Sequence, residues 1–288
     1  MKVILTGGTG FVGSPVLDRL QSSGHQVTAL VRSEESAARI AARGATPIVG
    51  DFGNQDWLAS AFAGGDGAIH AAGTYGSDAG SFASGVAHAV VEGLGGTGKP
   101  YVHISGDWAY GPGADITEEQ SYRSPAQTAW IGDVEDIVLN ASVATSVIVS
   151  AVVYGHGGGL PNLVGPVTRN DAGQVPLIGE GDNHWTTVHG DDLASLFVLL
   201  LERDDPEGHV IAASGANPTV REIGEAAAAP GAGVLPEDPE VSRARLGRDF
   251  ADALMMDQQA FAEKARALGW APVGPSLVDD IRRGSYAR

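Results

Sequence analysis

The amino-acid sequence predicts an α/β protein, with a Rossmann-type doubly wound parallel sheet and a small, mostly helical C-terminal substrate lobe. Apolar runs rich in Val, Ile and Ala alternate with helical stretches over the first half of the chain, and a glycine-rich turn follows the first run. Charge-poor runs of this kind are typical of strands buried on both faces, and their alternation with helices is typical of βαβ units. The predicted dinucleotide-binding domain is 1–155, with 186–213 returning to it, and the predicted lobe is 156–185 and 214–288.

The predicted elements follow in chain order. Strands are expected at 2–6, 26–31, 46–49, 67–71, 101–105 and 146–153, and helices at 11–23, 33–43, 54–63, 78–94 and 126–142. Beyond a glycine loop at 155–159 and an irregular stretch over 160–187, a helix is expected at 191–202 and a strand at 209–213. Thr219 and Glu222 form a capping-box pattern that opens another helix. Prolines and glycines predict a loop at 230–239, and a helix over 257–268 is ended by Gly269.

Composition narrows the class of partner. The 288 residues carry 18 Lys and Arg against 35 Asp and Glu, a formal charge of −17. This balance disfavours nucleic acid and anionic membrane surfaces, which attract basic patches. There is no cysteine, and no apolar run is long enough to span a bilayer. With a first strand that begins at once and no signal segment visible, we expect a cytoplasmic protein that acts on a small molecule, and its oligomeric state stays open.

The most informative segment is Thr6–Gly13, which reads TGGTGFVG. It lies between a predicted strand and a predicted helix, which is the context that a dinucleotide site requires. Gly7 permits the tight turn, a side chain at Gly10 would keep the backbone from a pyrophosphate, and Gly13 allows the helix to approach the strand. The free amides that begin the helix then face the phosphates. The residues of this turn predicted to contact the cofactor are Gly7, Thr9, Gly10, Phe11 and Val12.

The end of the second strand predicts which nicotinamide cofactor binds. An acidic residue at this position suits the ribose hydroxyl of NAD, whereas a basic residue suits the 2′-phosphate of NADP. Here the strand ends in Arg32 and Ser33. The guanidinium can hold a phosphate with two hydrogen bonds, so the sequence favours NADP (NADPH), although an exposed arginine without a ligand is the alternative. The other predicted cofactor-binding residues follow later strands: Asp51, Phe52, Ala71, Ala72, Gly73, Ser105 and Val153.

With these motifs the chain resembles the short-chain dehydrogenase/reductase superfamily in its extended, epimerase-like form. The resemblance covers nearly the whole chain. It rests on Thr6–Gly13, on the segments after the third and fourth strands, and on three later motifs, Ala109-Tyr110-Gly111, Val153-Tyr154-Gly155 and Val188–Asp192. It implies a Rossmann sheet, a nicotinamide cofactor and a substrate cleft covered by the C-terminal lobe.

One departure from the family pattern changes the expected chemistry. The resemblance implies a Tyr-x-x-x-Lys pair, in which the lysine lowers the pKa of the tyrosine. None of the six tyrosines of this chain has a lysine four residues later. Aligning Glu135 with the family's helix glutamate puts Gln127 and Ile131 where the pair would stand. The closest match is therefore an atypical subgroup that lacks the standard active site.

Other residues are predicted to replace the lost chemistry. Ser105 and Asp107 follow the fifth strand and are the candidate catalytic residues, Ser105 as a hydrogen-bond donor and Asp107 as a general acid if burial raises its pKa. Structural roles at the strand end are the alternative for both. Candidate substrate-binding residues are mostly large rings, with core packing as their alternative: Tyr75, Trp108, Trp130, Tyr154, His156 and Trp185. No histidine pair has helical metal-ligand spacing with a suitable carboxylate, so we predict no metal.

The sequence therefore predicts an NADP-dependent oxidoreductase for a small, fairly apolar carbonyl or related compound. Two alternatives stay open: a non-catalytic NADP-binding sensor, which the missing Tyr/Lys pair favours, and an epimerase or isomerase with tightly held cofactor.

Overall fold

The structure is a computed structural model that describes residues 1–73 and 78–287. Among them, the thirteen strands are β1 Lys2–Thr6, β2 Gln26–Val31, β3 Thr46–Val49, β4 Gly67–His70, β5 Pro100–Gly106, β6 Gly113–Ile116, β7 Ala144–Ser150, β8 Val152–Tyr154, β9 Val175–Pro176, β10 Thr187–His189, β11 Gly208–Ala212, β12 Val234–Leu235 and β13 Gln258–Ala260. The eleven α-helices are α1 Gly13–Ser22, α2 Glu34–Ala42, α3 Gln55–Ala63, α4 Ala79–Leu94, α5 Ile131–Leu139, α6 Gly190–Leu201, α7 Val220–Ala227, α8 Pro239–Leu246, α9 Arg248–Leu254, α10 Glu263–Ala267 and α11 Leu277–Arg283.

The main sheet confirms the predicted fold class. Its seven strands stand in the order β11-β7-β5-β4-β1-β2-β3, and β1 to β5 pair in parallel. From β1 the chain adds β2 and β3 on one side and then β4 and β5 on the other, so the direction in which strands are added reverses at β1. In open sheets of this type, ligands bind beyond the carboxyl ends of the strands at such a switch point. The end of β1 is also where the glycine turn begins.

The chain divides into two compact units. One is Met1–Ser105, Trp130–Val149 and Leu193–Val210, and the other is Gly106–Ala129, Ser150–Asp192 and Ile211–Arg288. In the first unit, apolar side chains of α3, α4 and α5 form a buried core against the sheet. In the second unit, side chains of β8, β9, α7 and α11 surround a core of their own.

The division differs from the predicted domains at 106–129, 150–155, 186–192 and 211–213, which lie in the second unit. Long-range pairing accounts for the first of these differences. β6 pairs with β13, and the buried amide of Gln258 donates to the backbone carbonyls of Asp107 and Gly111 at 3.0 and 2.8 Å.

Two predicted elements are corrected. The single strand expected at 146–153 is divided at Ala151, because β7 belongs to the main sheet and β8 pairs with β10. The helix expected at 257–268 is strand β13 followed by α10, since pairing with β6 overrides the local helical pattern. The capping box at Thr219 is confirmed, with both of its hydrogen bonds formed.

In the described parts of the chain, every helix is too short or too polar to cross a membrane.

Candidate functional site

The turn after β1 has the close backbone approach that its glycines predict. Gly7 has a positive φ of 83°, and a Cβ there would lie 2.4 Å from the backbone oxygen of Ala71. A Cβ on Gly13 would lie 2.1 Å from the carbonyl oxygen of Gly7. Any side chain at either position would clash with backbone, so glycine is required at both. Gly10 differs, because its Cβ would meet only the Gly7 oxygen, at 3.2 Å.

Helix α1 begins without a side-chain cap. Val12 precedes it and makes no capping hydrogen bond, and the first turn has no acidic residue. The first amides of a helix have no partner inside the helix, and its dipole makes that end positive. In α1 the Ser14 amide already donates to the Gly10 carbonyl at 3.0 Å, and Pro15 has no N–H. Among the described residues, the donors left for an anionic group are therefore the amides of Phe11, Val12 and Gly13, where the glycine turn enters the helix.

A cavity of about 460 Å³ lies against this turn in the first unit. The predicted cofactor residues that line it are Gly7, Thr9, Gly10, Phe11, Val12, Arg32, Phe52, Ala71, Ala72 and Gly73. It is also lined by Leu30, Val31, Ser36, Phe82 and Ile104, which the sequence did not single out. The glycine turn, the open helix end and the mainly apolar walls fit a dinucleotide, whose phosphates need amide donors and whose adenine needs a flat apolar slot.

A second cavity, of about 700 Å³, adjoins the first at Arg32 and Phe52. Asp51 lines it, and its carboxylate accepts a hydrogen bond of 2.8 Å from the Gly53 amide. Phe52 stacks on Phe82 with ring centroids 6.0 Å apart, so the two rings form a shared aromatic wall. Phe82 was not predicted from the sequence, because its place at the cavity depends on which face of α4 points towards the sheet edge.

The turn from β2 to α2 gathers hydroxyl and guanidinium groups. Ser33 caps α2 by accepting from the Ser36 amide at 3.2 Å, and Arg39 donates to the Ser36 hydroxyl at 3.1 Å. Arg32 is exposed on the cavity wall, and its side chain makes no hydrogen bond or ion pair within residues 1–73 and 78–287. Glu34 and Glu35 in the first turn of α2 supply the nearby negative charge.

Ser105 has an unused hydroxyl. It ends the first segment of the first unit, Met1–Ser105, and its Oγ is buried without a hydrogen-bond partner in the described chain. A buried polar atom without a partner costs free energy on the order of 1–3 kcal/mol. The unused hydroxyl of Ser105 agrees with the predicted role of this residue as a hydrogen-bond donor to a ligand.

Asp107 is in the second unit, where it begins a short 3₁₀ turn over Asp107–Tyr110. The residue is only 4 % exposed. Burial raises the pKa of its carboxyl to about 8, although the backbone amides of Asp107 and Trp108 oppose the shift by hydrogen bonding. The carboxyl is therefore mostly protonated at neutral pH, which is the state a general acid requires.

The predicted substrate-binding rings have different surroundings. Tyr154 and Trp185 are 1 % and 3 % exposed in the core of the second unit. Tyr154 donates to the Pro275 carbonyl at 2.6 Å, and Trp185 donates to the Leu254 carbonyl at 2.8 Å. Both rings therefore have the structural role that was their alternative, and a contact with substrate stays a prediction.

The remaining predicted rings lie in several places. Trp130 packs against the core of the first unit, and Trp108 packs edge-on against Phe250 in the second. His156 is exposed and lies 2.9 Å from the carboxylate of Asp191. Val153 belongs to β8 of the second unit and Tyr75 lies outside the described residues, so neither is placed at the cavity.

At the positions aligned with the missing pair, Gln127 lies in a short 3₁₀ turn and Ile131 begins α5. Neither side chain ionises, so neither can supply the proton transfer that a Tyr/Lys pair performs.

Comparison with known proteins agrees with this geometry. A model of the NAD dependent epimerase/dehydratase family matches residues 3–213. Protein C2A9.02 of Schizosaccharomyces pombe is 30 % identical over 99 % of this chain and 100 % of its own length. A 3-diazoavenalumate denitrifying reductase of a Streptomyces species is 25 % identical over 98 % of this chain and 100 % of its own.

Among solved structures, the human epimerase family protein SDR39U1, isoform 2, was crystallised with NADPH. It superposes with a TM-score of 0.76 at 21 % identity and covers 99 % of both chains. At this identity the likeness shows the fold. The family match, with the parallel sheet and the cavity at its glycine turn, gives the conclusion: this chain belongs to the NAD-dependent epimerase/dehydratase family of short-chain dehydrogenase/reductase-like proteins.

Proposed function

We propose that this protein is an NADP-dependent oxidoreductase that reduces a small, fairly apolar carbonyl or related compound without a Tyr/Lys pair. The observation that carries the proposal is Arg32, whose guanidinium lies on the wall of the cavity at the glycine turn and has no hydrogen-bond or ion-pair partner among the described residues. The family name describes NAD, so the basic residue is what favours the phosphorylated cofactor in this chain.

The β2–α2 turn supports binding of a 2′-phosphate by more than one group. Arg32 supplies a bidentate donor, and in the adjoining helix α2 Arg39 donates to the Ser36 hydroxyl. We assign the pyrophosphate to the amides where the glycine turn enters α1, and the missing side chain of Gly10 leaves room for it. Glu34 and Glu35 oppose the phosphate in part, but they can turn to solvent because both are exposed.

NADPH supplies the hydride when it is bound. The chain's own task is then to hold the carbonyl compound and to give its oxygen a proton. We assign the proton to the Asp107 carboxyl, which burial keeps protonated at neutral pH. We assign a hydrogen bond to the carbonyl oxygen or to the cofactor amide to Ser105, whose hydroxyl has no other partner in the described chain. The product is an alcohol, and the Asp107 carboxylate regains a proton from water.

Names of relatives support reduction over epimerisation. Relatives that match parts of the chain include a ketoreductase of Stigmatella aurantiaca and a 2-alkyl-3-oxoalkanoate reductase of Stenotrophomonas maltophilia. Both names describe reduction of an oxo group on a compound with apolar substituents. We therefore favour a ketone or aldehyde with apolar substituents as substrate.

The experiment is a screen of aliphatic and aromatic ketones and aldehydes, with NADPH oxidation followed by absorbance and the alcohol identified by mass spectrometry. Turnover that falls about ten- to a thousandfold in Asp107→Asn and in Ser105→Ala, with NADPH affinity retained in Asp107→Asn, supports the proposal. The sensor alternative, which the residues Gln127 and Ile131 favour, instead predicts tight NADPH binding with no oxidation by any compound.

A further inference from the structure

The second unit brings two imidazoles and a carboxylate to one edge of a small parallel sheet. β8 and β10 pair with Tyr154 opposite His189, so the carboxyl ends of both strands meet. His189 ends β10, His156 follows β8 by two residues, and Asp191 lies in the first turn of α6. One ligand atom from each of these three residues lies within 4.8 Å of the other two. The prediction of no metal considered spacing within one helix, which cannot detect ligands from separate elements.

The contacts converge on Asp191. Its carboxylate oxygens lie 2.9 Å from Nε2 of His156 and 3.7 Å from Nδ1 of His189. The two imidazole rings are 5.6 Å apart by their centroids. An ion pair between His156 and Asp191 would account for the first contact alone. It gives no reason for a second imidazole beside the same carboxylate.

The backbone of His156 is held in a conformation that few side chains adopt. Its φ is 52°, and it stands between Gly155 and Gly157, which also have positive φ. The left-handed region costs roughly 1–2 kcal/mol for a residue with a Cβ. A glycine would avoid that cost, so the strain indicates that the imidazole itself has a role.

The loop is fixed by the C-terminal segment of the same unit. The amide of Gly155 donates to the Tyr286 hydroxyl at 3.0 Å, and the amide of Gly157 donates to the Ser285 hydroxyl at 2.8 Å. Tyr286 in turn donates to the carbonyl of Gly158. Hydrogen bonds on both sides of His156 therefore hold its ring near Asp191, as preorganised ligands require.

His189 is oriented as a ligand would be. Its side chain is 10 % exposed and packs edge-on against Tyr154, with ring centroids 5.4 Å apart. Nδ1 accepts a hydrogen bond of 3.2 Å from the Asp191 amide, so this nitrogen carries a lone pair. A metal ion bound through that lone pair would replace the hydrogen bond of 3.2 Å from the Asp191 amide.

We propose that His156, His189 and Asp191 form a binding site for one zinc ion or another first-row divalent transition-metal ion. Two imidazole nitrogens and one carboxylate oxygen suit these ions, whereas Mg²⁺ and Ca²⁺ prefer oxygen ligands alone. Three protein ligands leave at least one position for water or another small ligand. Ligands at about 2.1 Å from an ion are at most about 4.2 Å apart, and the two distances to the Asp191 carboxylate, 2.9 and 3.7 Å, lie within that limit, so only a small adjustment of the side chains is needed. The side chains of His156 and Asp191 are 54 % and 61 % exposed and can make that movement.

The test uses the full chain without an affinity tag, stripped with a chelator and then titrated with Zn²⁺ alone by calorimetry. Co²⁺ is titrated in parallel, because its visible absorption reports the ligand geometry. We expect one ion per chain and a rise in Tm on binding. His156→Gly should fold, since glycine suits the positive φ, and it should bind Zn²⁺ at least about tenfold more weakly. Asp191→Asn should show a comparable loss.

The matched control is His184→Ala. His184 lies 2.7 Å from Asp257 in a second His–Asp pair of the same unit, to which no third ligand converges among the described residues. This variant should bind Zn²⁺ as the unaltered protein does. The proposal is overturned if the unaltered protein shows no saturable binding of Zn²⁺. It is also overturned if His156→Gly binds Zn²⁺ and Co²⁺ as tightly as the unaltered protein does.

Discussion

At the scale of single residues, Asp107 is the side chain whose environment changes its chemistry most. Burial raises the pKa of the carboxyl from 3.8 to about 8. Its position was predictable because it follows the fifth strand of a βαβ series. Its burial was not, because the second unit packs segments that are distant in sequence: Gln258, 151 residues away, donates to the backbone carbonyl of Asp107.

Asp107 makes stability depend on pH in a defined direction. The folded chain keeps this proton up to about pH 8, whereas the unfolded chain releases it near pH 3.8. Between these values the folded state binds more protons, so this residue lowers the free energy of unfolding as pH rises, by up to roughly 1.4 kcal/mol per pH unit. Asp107→Asn cannot ionise. Its stability relative to the unaltered protein should therefore increase from pH 5 to pH 8, measured by urea denaturation.

The control for this measurement is Asp205→Asn, an exposed carboxylate that makes no hydrogen bond or ion pair with another described residue. Its stability relative to the unaltered protein should stay constant over the same range to within about 0.5 kcal/mol. An Asp107→Asn curve that runs parallel to that of the unaltered protein would show that the carboxyl is already ionised when folded.

At the scale of elements, the turn from β1 to α1 contains glycines with two different roles. Two of them are required by the fold, and the third leaves space for a ligand. Gly7 and Gly13 have no room for a Cβ against backbone atoms. A Cβ on Gly10 would make one tight contact, 3.2 Å from the Gly7 carbonyl oxygen, which a small shift relieves; Gly10 has no positive φ, and it lines the cavity. The sequence predicted this distinction because the roles of the three glycines follow from a strand, a turn and a helix in that order.

Gly10→Val should therefore lose cofactor binding and keep the fold. The branched side chain would enter the space that a pyrophosphate requires, so NADPH binding should become undetectable by calorimetry while Tm changes by only a few degrees. Gly64→Val is the matched control, since its Cβ meets the Ala61 carbonyl oxygen at a similar 3.3 Å, at the end of α3. That control should bind NADPH normally. Unchanged affinity in Gly10→Val would move the cofactor site elsewhere.

Elements that depend on distant partners were the ones that sequence missed. The apolar run over 146–153 has no internal break, yet β8 leaves the main sheet to pair with β10. β13 reads as part of a helix until its pairing with β6 is known. Local patterns fix the period of an element but not its partner, so β1 to β5 were predicted well and the second unit was predicted poorly.

At the scale of the whole molecule, the cofactor cavity was largely predictable and the side chains that complete it were not. Ten predicted residues line the cavity, because they follow successive parallel strands whose ends meet at one edge. Ser36 and Phe82 were missed, since each depends on which face of a helix points inward. The grouping of His156, His189 and Asp191 was missed because it joins separate strand ends.

No tyrosine has a lysine four residues later, so the proposed function predicts that no single tyrosine is essential for turnover. Single Tyr→Phe changes at 75, 101, 110, 122, 154 and 286 should each leave measurable turnover in the NADPH-dependent carbonyl assay. Tyr154→Phe should lower the free energy of unfolding by about 1 kcal/mol, because it loses the hydrogen bond to Pro275. A Tyr→Phe variant that binds cofactor and substrate normally but shows no turnover would identify a tyrosine activated by a group other than lysine.

The most direct test of the proposed function is the choice between the two nicotinamide cofactors. Calorimetric titration of the unaltered protein should give NADPH an affinity at least about tenfold above that of NADH, or about 1.4 kcal/mol. Arg32→Asp should abolish that preference. Arg19→Asp makes the same change of charge on α1, away from the cavity walls, and should keep the preference. Equal affinity of the unaltered protein for NADPH and NADH would contradict the assignment of Arg32 and the NADP-dependent function built on it.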